Sequence, residues 1–90
     1  MEVRNEVRKE IVDFFEDEFL FLDGLDDAIV GVINKDEVAV VVYSISSIIK
    51  ILMDRDDMDM EEAWEYFYYN IKYAYVGEKT PIFIKTFPQD

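Results

Sequence analysis

The apolar segment at residues 28–43, interrupted by one polar stretch, constrains the fold of this chain more than any other feature. Two β-rich runs, AIVGVI at residues 28–33 and VAVVVY at residues 38–43, flank the polar sequence NKDE at residues 34–37. Short β-rich runs on both sides of turn-forming residues predict a β-hairpin, here with a four-residue loop. The second run lacks a polar face, which predicts a central strand that is covered on both sides.

Amphipathic segments elsewhere in the chain supply elements to cover this hairpin. Apolar residues recur at spacings of three and four across residues 2–19, 45–54 and 60–75, which predicts three helices. Residues 82–87 form a last β-rich run, and Pro81 places its start at a sheet edge. The sequence therefore predicts a single α+β domain, in the order α-β-β-α-α-β, with a three-stranded, mainly antiparallel sheet under helices.

Capping signals mark the starts of the last two predicted helices. Ser44 or Ser46 can accept a hydrogen bond from the first turn of the second helix. Asp59 is followed three residues later by Glu62, which is an aspartate form of the capping box. Both signals place the helix starts close to the positions that the apolar periodicity indicates.

The composition excludes several classes of function. With 21 acidic and 9 basic residues, the net charge is −12, which repels nucleic acid and anionic membranes and favours basic partners. The chain has no Cys and no His, so zinc–thiolate sites and the commonest general base are missing. No motif for a nucleophile or a phosphate-binding loop occurs. We therefore expect neither an enzyme nor a bound cofactor or metal.

Chain length and the first residues give expectations about assembly and location. A chain of 90 residues with 51% hydrophobic residues folds as one domain, near the size at which self-association helps stability. We therefore expect a homodimer. Residues 1–10 are charged, and no apolar run is long enough to span a membrane, so we expect a cytoplasmic protein without a membrane segment.

Three aspartates precede the first predicted strand. Asp23, Asp26 and Asp27 could together hold a hard cation, but their spacing matches no established ligand pattern. The favoured alternative is a turn in which the carboxylates accept hydrogen bonds from local amides and Gly24 adopts a positive φ.

A second cation motif lies between the second and third predicted helices. With Asp54 at position one of a calcium loop, Asp56 falls at position three, Glu62 at nine and Glu65 at twelve. The position that requires Gly for a sharp turn holds Asp59, which the capping box already explains. Calcium binding is therefore an alternative function rather than the favoured one.

The third predicted helix carries two features that suggest a binding surface. Its apolar face comprises Met60, Ala63, Trp64, Phe67, Ile71 and Ala74. Tyr66, Tyr69 and Tyr73 project from the other side, either as half-exposed rings or as a contact surface, since tyrosine is enriched at interfaces. Acidic residues are concentrated around its start, either as a solvated face or as an imitation of a phosphate backbone. The predicted partner-binding residues are Asp54, Asp56, Asp57, Glu61, Glu62, Glu65, Tyr66, Tyr69 and Tyr73.

The segments DGLDDAIVGVI, ILMDRDDMDMEEAWEYFYYNI and YVGEKTPIFI resemble a group of small proteins encoded by tailed bacteriophages and prophages, over about residues 20–84. The resemblance implies a viral origin and a location in the infected host cell, and it transfers no catalytic or binding residues. Small acidic phage proteins include inhibitors of host restriction, CRISPR and repair machinery. By this analogy we expect a protein-binding inhibitor of a host defence or nucleic-acid-handling protein, with a structural component of the phage particle as the alternative.

Overall fold

The computed structural model describes residues 3–15, 19–74 and 77–86, which form an α+β domain in the expected order. The helices are α1 (Val3–Phe15), α2 (Ile45–Arg55) and α3 (Met60–Tyr66), and the strands are β1 (Ile29–Lys35), β2 (Val38–Ser44) and β3 (Ile82–Ile84). A 3₁₀ turn (Asp26–Ala28) precedes β1, and a π-helical turn (Phe67–Ile71) continues α3.

The hairpin is tighter than predicted. Its turn consists of Asp36 and Glu37, with φ values of 53° and 69°, while Lys35 pairs with Val38 and Asn34 with Ala39. The predicted four-residue loop is therefore wrong. Two residues in the left-handed region give a type I′ turn, whose twist matches that of the strands, and β1 continues two residues further than predicted, to Lys35.

β2 is the central strand of the sheet. It pairs antiparallel with β1 and parallel with β3, so the sheet is mixed and β3 forms one edge. All residues of β2 after Val38 are buried, and consecutive side chains such as Val40 and Val41 are each 1% exposed. Because consecutive side chains point to opposite faces, both faces of β2 are covered, which confirms the expectation from its apolar sequence.

The main core lies between one face of the sheet and the helices α2 and α3. Tyr43 of β2 is fully buried there, and its ring lies 6.0 Å from that of Phe83 on β3. The ring of Phe67 meets Phe83 edge-on at 5.2 Å. The other buried members of this cluster are Leu22, Leu25, Ala28, Val41, Ile48, Ile49, Leu52, Ala63 and Ile71.

Both predicted caps are confirmed. The Ser44 side chain accepts a hydrogen bond from Ser47 N at 3.2 Å at the start of α2. At the start of α3, Asp59 Oδ1 accepts from Glu62 N at 2.8 Å, and Glu62 Oε1 accepts from Asp59 N at 3.0 Å. These reciprocal bonds satisfy two amides that the helix itself leaves without partners.

Some predicted boundaries lie outside the described residues. This applies to residues 2 and 16–18 of the first predicted helix, to residue 75 of the third and to residue 87 of the last strand. Within the described part, residue 19 is not helical, the third predicted helix ends with the π-helical turn at Ile71, and β3 ends at Ile84. No helix in the described part of the chain is long and apolar enough to cross a membrane.

Candidate protein-binding surface

The capping box and the core contacts fix the orientation of α3 and its π-helical turn. Ala63, Phe67 and Ile71 face the core, with 9% exposure or less. Within the π-helical turn, Lys72 N donates to Phe67 O at 2.8 Å, five residues back. The opposite side carries the most exposed tyrosine among the described residues, Tyr69, at 83%. π-helical turns of this kind occur frequently at functional sites.

A shallow groove of about 500 Å³ lies between the turn before α3 and the outer side of this helix. We call it the acidic groove. It is lined by Asp56, Asp57, Met58, Glu62, Glu65, Tyr66, Tyr69 and Asn70. It therefore brings together six of the nine side chains that were predicted to bind a partner.

A second groove, of about 520 Å³, lies on the other side of Tyr69. We call it the aromatic groove. It is lined by Glu61, Trp64, Glu65, Tyr68, Tyr69 and Tyr73. Glu65 and Tyr69 line both grooves, so the two form one continuous surface along the exposed side of α3 and its π-helical turn.

Trp64 and Tyr68 were not predicted as binding residues. Trp64 was assigned to the apolar face of the helix, although it is only partly buried and also lines the aromatic groove. A sequence signal for both residues was present, because Trp64 and Tyr68 stand four residues apart and each precedes a predicted residue, Glu65 or Tyr69. Residues at that spacing lie one above another on a helix.

Asp54 lies apart from both grooves. It belongs to the last turn of α2 and lines a different depression, of about 590 Å³, with Lys50, Arg55 and Gly24 among its other residues. The predicted acidic cluster is therefore divided between two depressions. The part that faces the tyrosines begins at Asp56.

The acidic side chains of the surface differ in their partners. Arg55 donates to both oxygens of Asp56, at 3.0 and 3.1 Å, and to Gly24 O at 2.8 Å. The hydrogen bond and charge of Arg55 hold the pKa of Asp56 below its usual value. Within the described residues, no basic side chain forms an ion pair with Asp57, Glu61 or Glu65.

The residues of the possible calcium loop are used in other ways. Asp56 is paired with Arg55, and Glu62 accepts the backbone hydrogen bond of the capping box. Among the described residues, no group of three or more acidic side chains is arranged to hold a metal ion.

Two of the three aspartates before β1, Asp23 and Asp26, contact Arg8 of α1. Gly24 has the expected positive φ, of 80°. Asp26, however, is 5% exposed, and both its oxygens accept from Arg8 Nε, at 2.7 and 2.9 Å. Arg8 Nη2 also donates to Asp23 at 3.3 Å. The favoured prediction of carboxylates bonded to local amides therefore missed the main partner of Asp26, which belongs to α1.

Comparisons of the chain with protein-family models, with curated proteins and with solved structures found no match. The function is therefore inferred from the chemistry of the surface on α3. This surface combines carboxylates that lack a basic partner within the described residues with exposed aromatic rings. Neither group has the arrangement of a nucleophile, a general base or a metal ligand set, whereas both suit contact with a basic macromolecule.

Proposed function

We propose that this protein is a small phage-encoded binding module that acts in the infected cell. Its acidic and aromatic surface on α3 occupies a basic surface of a host defence or nucleic-acid-handling protein and thereby inhibits that protein. The observation that carries this proposal is the placement of Asp57, Glu61 and Glu65 with Tyr66, Tyr69 and Tyr73 in two adjoining grooves, which run along α3, its π-helical turn and the turns at either end. The resemblance to phage proteins gives the biological setting.

The charge spacing on α3 supports binding to a surface that normally holds nucleic acid. Glu61 and Glu65 lie one above the other, separated by about 6 Å along the helix axis. Phosphates of one DNA strand follow each other at about 3.4 Å along the axis. The helix therefore presents roughly one charge for every two phosphates of a strand, and Asp57 adds a further carboxylate in the turn before the helix, on the acidic groove.

The tyrosines supply apolar contact area, which the carboxylates cannot provide. An exclusively electrostatic contact weakens steeply with salt and contributes more to association rate and specificity than to affinity. Tyr69 and Tyr73 are 83% and 69% exposed, so their rings are available to bury apolar area against a partner. Tyrosine is among the residues that contribute most binding energy at protein interfaces.

The proposal is tested by capture of host proteins with two matched charge-reversal variants. One variant carries Asp57→Lys, Glu61→Lys and Glu65→Lys. The control carries the same charge change at exposed positions away from α3, namely Glu10→Lys, Asp54→Lys and Glu78→Lys. Each is immobilised, exposed to host lysate and analysed by mass spectrometry, and the captured protein is then assayed for nucleic-acid binding.

We expect the unmodified protein and the control to capture a nucleic-acid-binding host protein and to inhibit its binding to DNA or RNA. The α3 variant should lose both effects, and added salt should weaken the complex. If the α3 variant captures the same host protein as strongly as the control does, the proposal is refuted. Capture of phage structural proteins alone would indicate the assembly role instead.

A further inference from the structure

We infer that the aromatic groove is a pocket for an arginine side chain of the partner. The inference rests on the proposed function, because it takes the partner to be a basic protein. It adds the chemical group that the surface recognises and the residues that distinguish arginine from lysine. A purely acidic surface would attract both cations alike.

The lining of the groove suits a planar cation. Trp64, Tyr68, Tyr69 and Tyr73 contribute four rings to a space of about 520 Å³, and the three tyrosines are each more than 40% exposed. The faces of such rings carry partial negative charge and attract cations within about 6 Å of the ring centre, with tryptophan the strongest. A guanidinium group can also stack flat against a ring, which an ammonium group cannot do.

The free protein already places a cation against two of these rings. Lys72 Nζ lies 4.6 Å from the ring centre of Tyr68 and 5.5 Å from that of Tyr73. Both distances fall within the range of cation–π attraction. These two rings therefore already attract a cation in the free protein, and an incoming guanidinium has to displace Lys72 Nζ from them or stack on their remaining faces.

The carboxylates of the groove complete the recognition of a guanidinium group. Glu61 and Glu65 line it one helical turn apart, and neither forms an ion pair with a basic residue in the described part of the chain. A carboxylate accepts two parallel hydrogen bonds from arginine but only a single-point contact from lysine. The same groove thus offers ring faces for stacking and an oxygen pair for the edge of the guanidinium.

The inference is tested with short peptides and the protein's own fluorescence. Trp64 is the single tryptophan of the chain, so its emission reports directly on occupancy of the groove. The probes are peptides of equal length in which glycine alternates with arginine, lysine or citrulline. We expect the arginine peptide to bind about tenfold more tightly than the lysine peptide. The uncharged citrulline peptide should not bind.

Variants inside and outside the aromatic groove serve as matched pairs. Tyr73→Ala and Glu61→Gln alter side chains that line the aromatic groove, and they should reduce the preference for arginine over lysine to less than about threefold. Val30→Ala and Glu10→Gln alter exposed side chains outside both grooves, and they should leave the preference unchanged. All four side chains are exposed, so the fold should tolerate each change.

The outcomes separate this inference from the proposed function. Equal binding of the arginine and lysine peptides, unaffected by Tyr73→Ala, would overturn the arginine pocket and leave a basic partner in place. Failure of both peptides to bind at low salt would overturn the pocket and contradict the basic partner as well. If light scattering shows a homodimer that Tyr73→Ala converts to a monomer, the groove is occupied by a second copy of the chain. That result would also overturn the inference.

Discussion

The ion pair between Arg8 and Asp26 should contribute far more to stability than the neighbouring pair on the same helix. Arg8 Nε donates to both oxygens of a carboxylate that is 5% exposed, and the guanidinium lies 4.9 Å from the ring centre of Phe21. Lys9 and Asp13, in contrast, pair at 3.4 Å with side chains that are 77% and 65% exposed. The variants Arg8→Met and Lys9→Met each remove one positive charge and keep a flexible apolar stem.

The loss in free energy of unfolding depends on whether the variant leaves a buried or an exposed carboxylate without its cation. Arg8→Met leaves a buried carboxylate without its cation, and loss of one partner of a buried pair costs about 3–5 kcal/mol. We expect the lower end, about 3 kcal/mol, because the Arg8 side chain is itself 30% exposed and the pair is partly screened by water. Lys9→Met breaks an exposed pair, which is worth about 0.5 kcal/mol or less.

Urea and thermal unfolding, followed by circular dichroism, measure both changes. We expect the melting temperature to fall by about 10–20 °C for Arg8→Met and by only a few degrees for Lys9→Met. The double variant Arg8→Met, Asp26→Leu should regain much of the lost stability, because the unpaired buried charge is gone. An Arg8→Met variant as stable as Lys9→Met would refute the idea that this contact holds α1 to the rest of the domain.

Three further predictions concern stability and assembly. Burial raises the pKa of Tyr43, partly opposed by the hydrogen bond from Leu22 N at 2.8 Å, so the folded state keeps this proton above the pH at which the unfolded chain loses it. The contribution of Tyr43 to the free energy of unfolding should therefore be complete below about pH 10 and decrease as the pH rises. Tyr43→Phe should reduce this alkaline loss and cost about 1–3 kcal/mol at neutral pH, and urea unfolding measures both effects. Asp59→Ala should cost about 1 kcal/mol in the same assay through loss of the capping box, and an unchanged unfolding midpoint would contradict the role of the cap. Light scattering at high micromolar concentration should give twice the monomer mass, and a monomer mass at that concentration would contradict the expected homodimer.

Features that depend on neighbouring residues could be predicted from the sequence. The hairpin followed from two β-rich runs, and the capping box from Asp59 and Glu62, because both are determined by local backbone chemistry. The placement of Tyr66 and Tyr69 on the exposed side of the third helix followed from helical periodicity. For the same reason, most of the candidate surface was predicted, since it lies on one helical segment and the turn before it.

Features that depend on distant residues or on unusual backbone conformations could not be predicted. The contact of Arg8 with Asp26 joins α1 to a turn eighteen residues away, and no local pattern specifies it. The two-residue turn was missed because Glu37 rarely adopts a positive φ, whereas the wider loop required no such conformation. Asp54 lies in the last turn of α2 as predicted, but the depression that it lines is formed with Gly24, about thirty residues away in the sequence, and no local pattern specifies that contact.

The parallel pairing of β3 has a consequence for how the sheet opens. β1 and β2 are joined by a two-residue turn, whereas β3 reaches β2 only after residues 45–81, and it pairs with three residues there. Closing so long a loop costs more entropy than closing a hairpin, and so few backbone hydrogen bonds recover little of it. In amide hydrogen exchange, β3 should therefore lose protection first, by a local opening that leaves the hairpin intact. Each such opening briefly separates the ring of Phe83 from those of Tyr43 and Phe67. The centre of the core therefore opens and closes at β3, the edge of the sheet whose pairing closes the longest loop of chain.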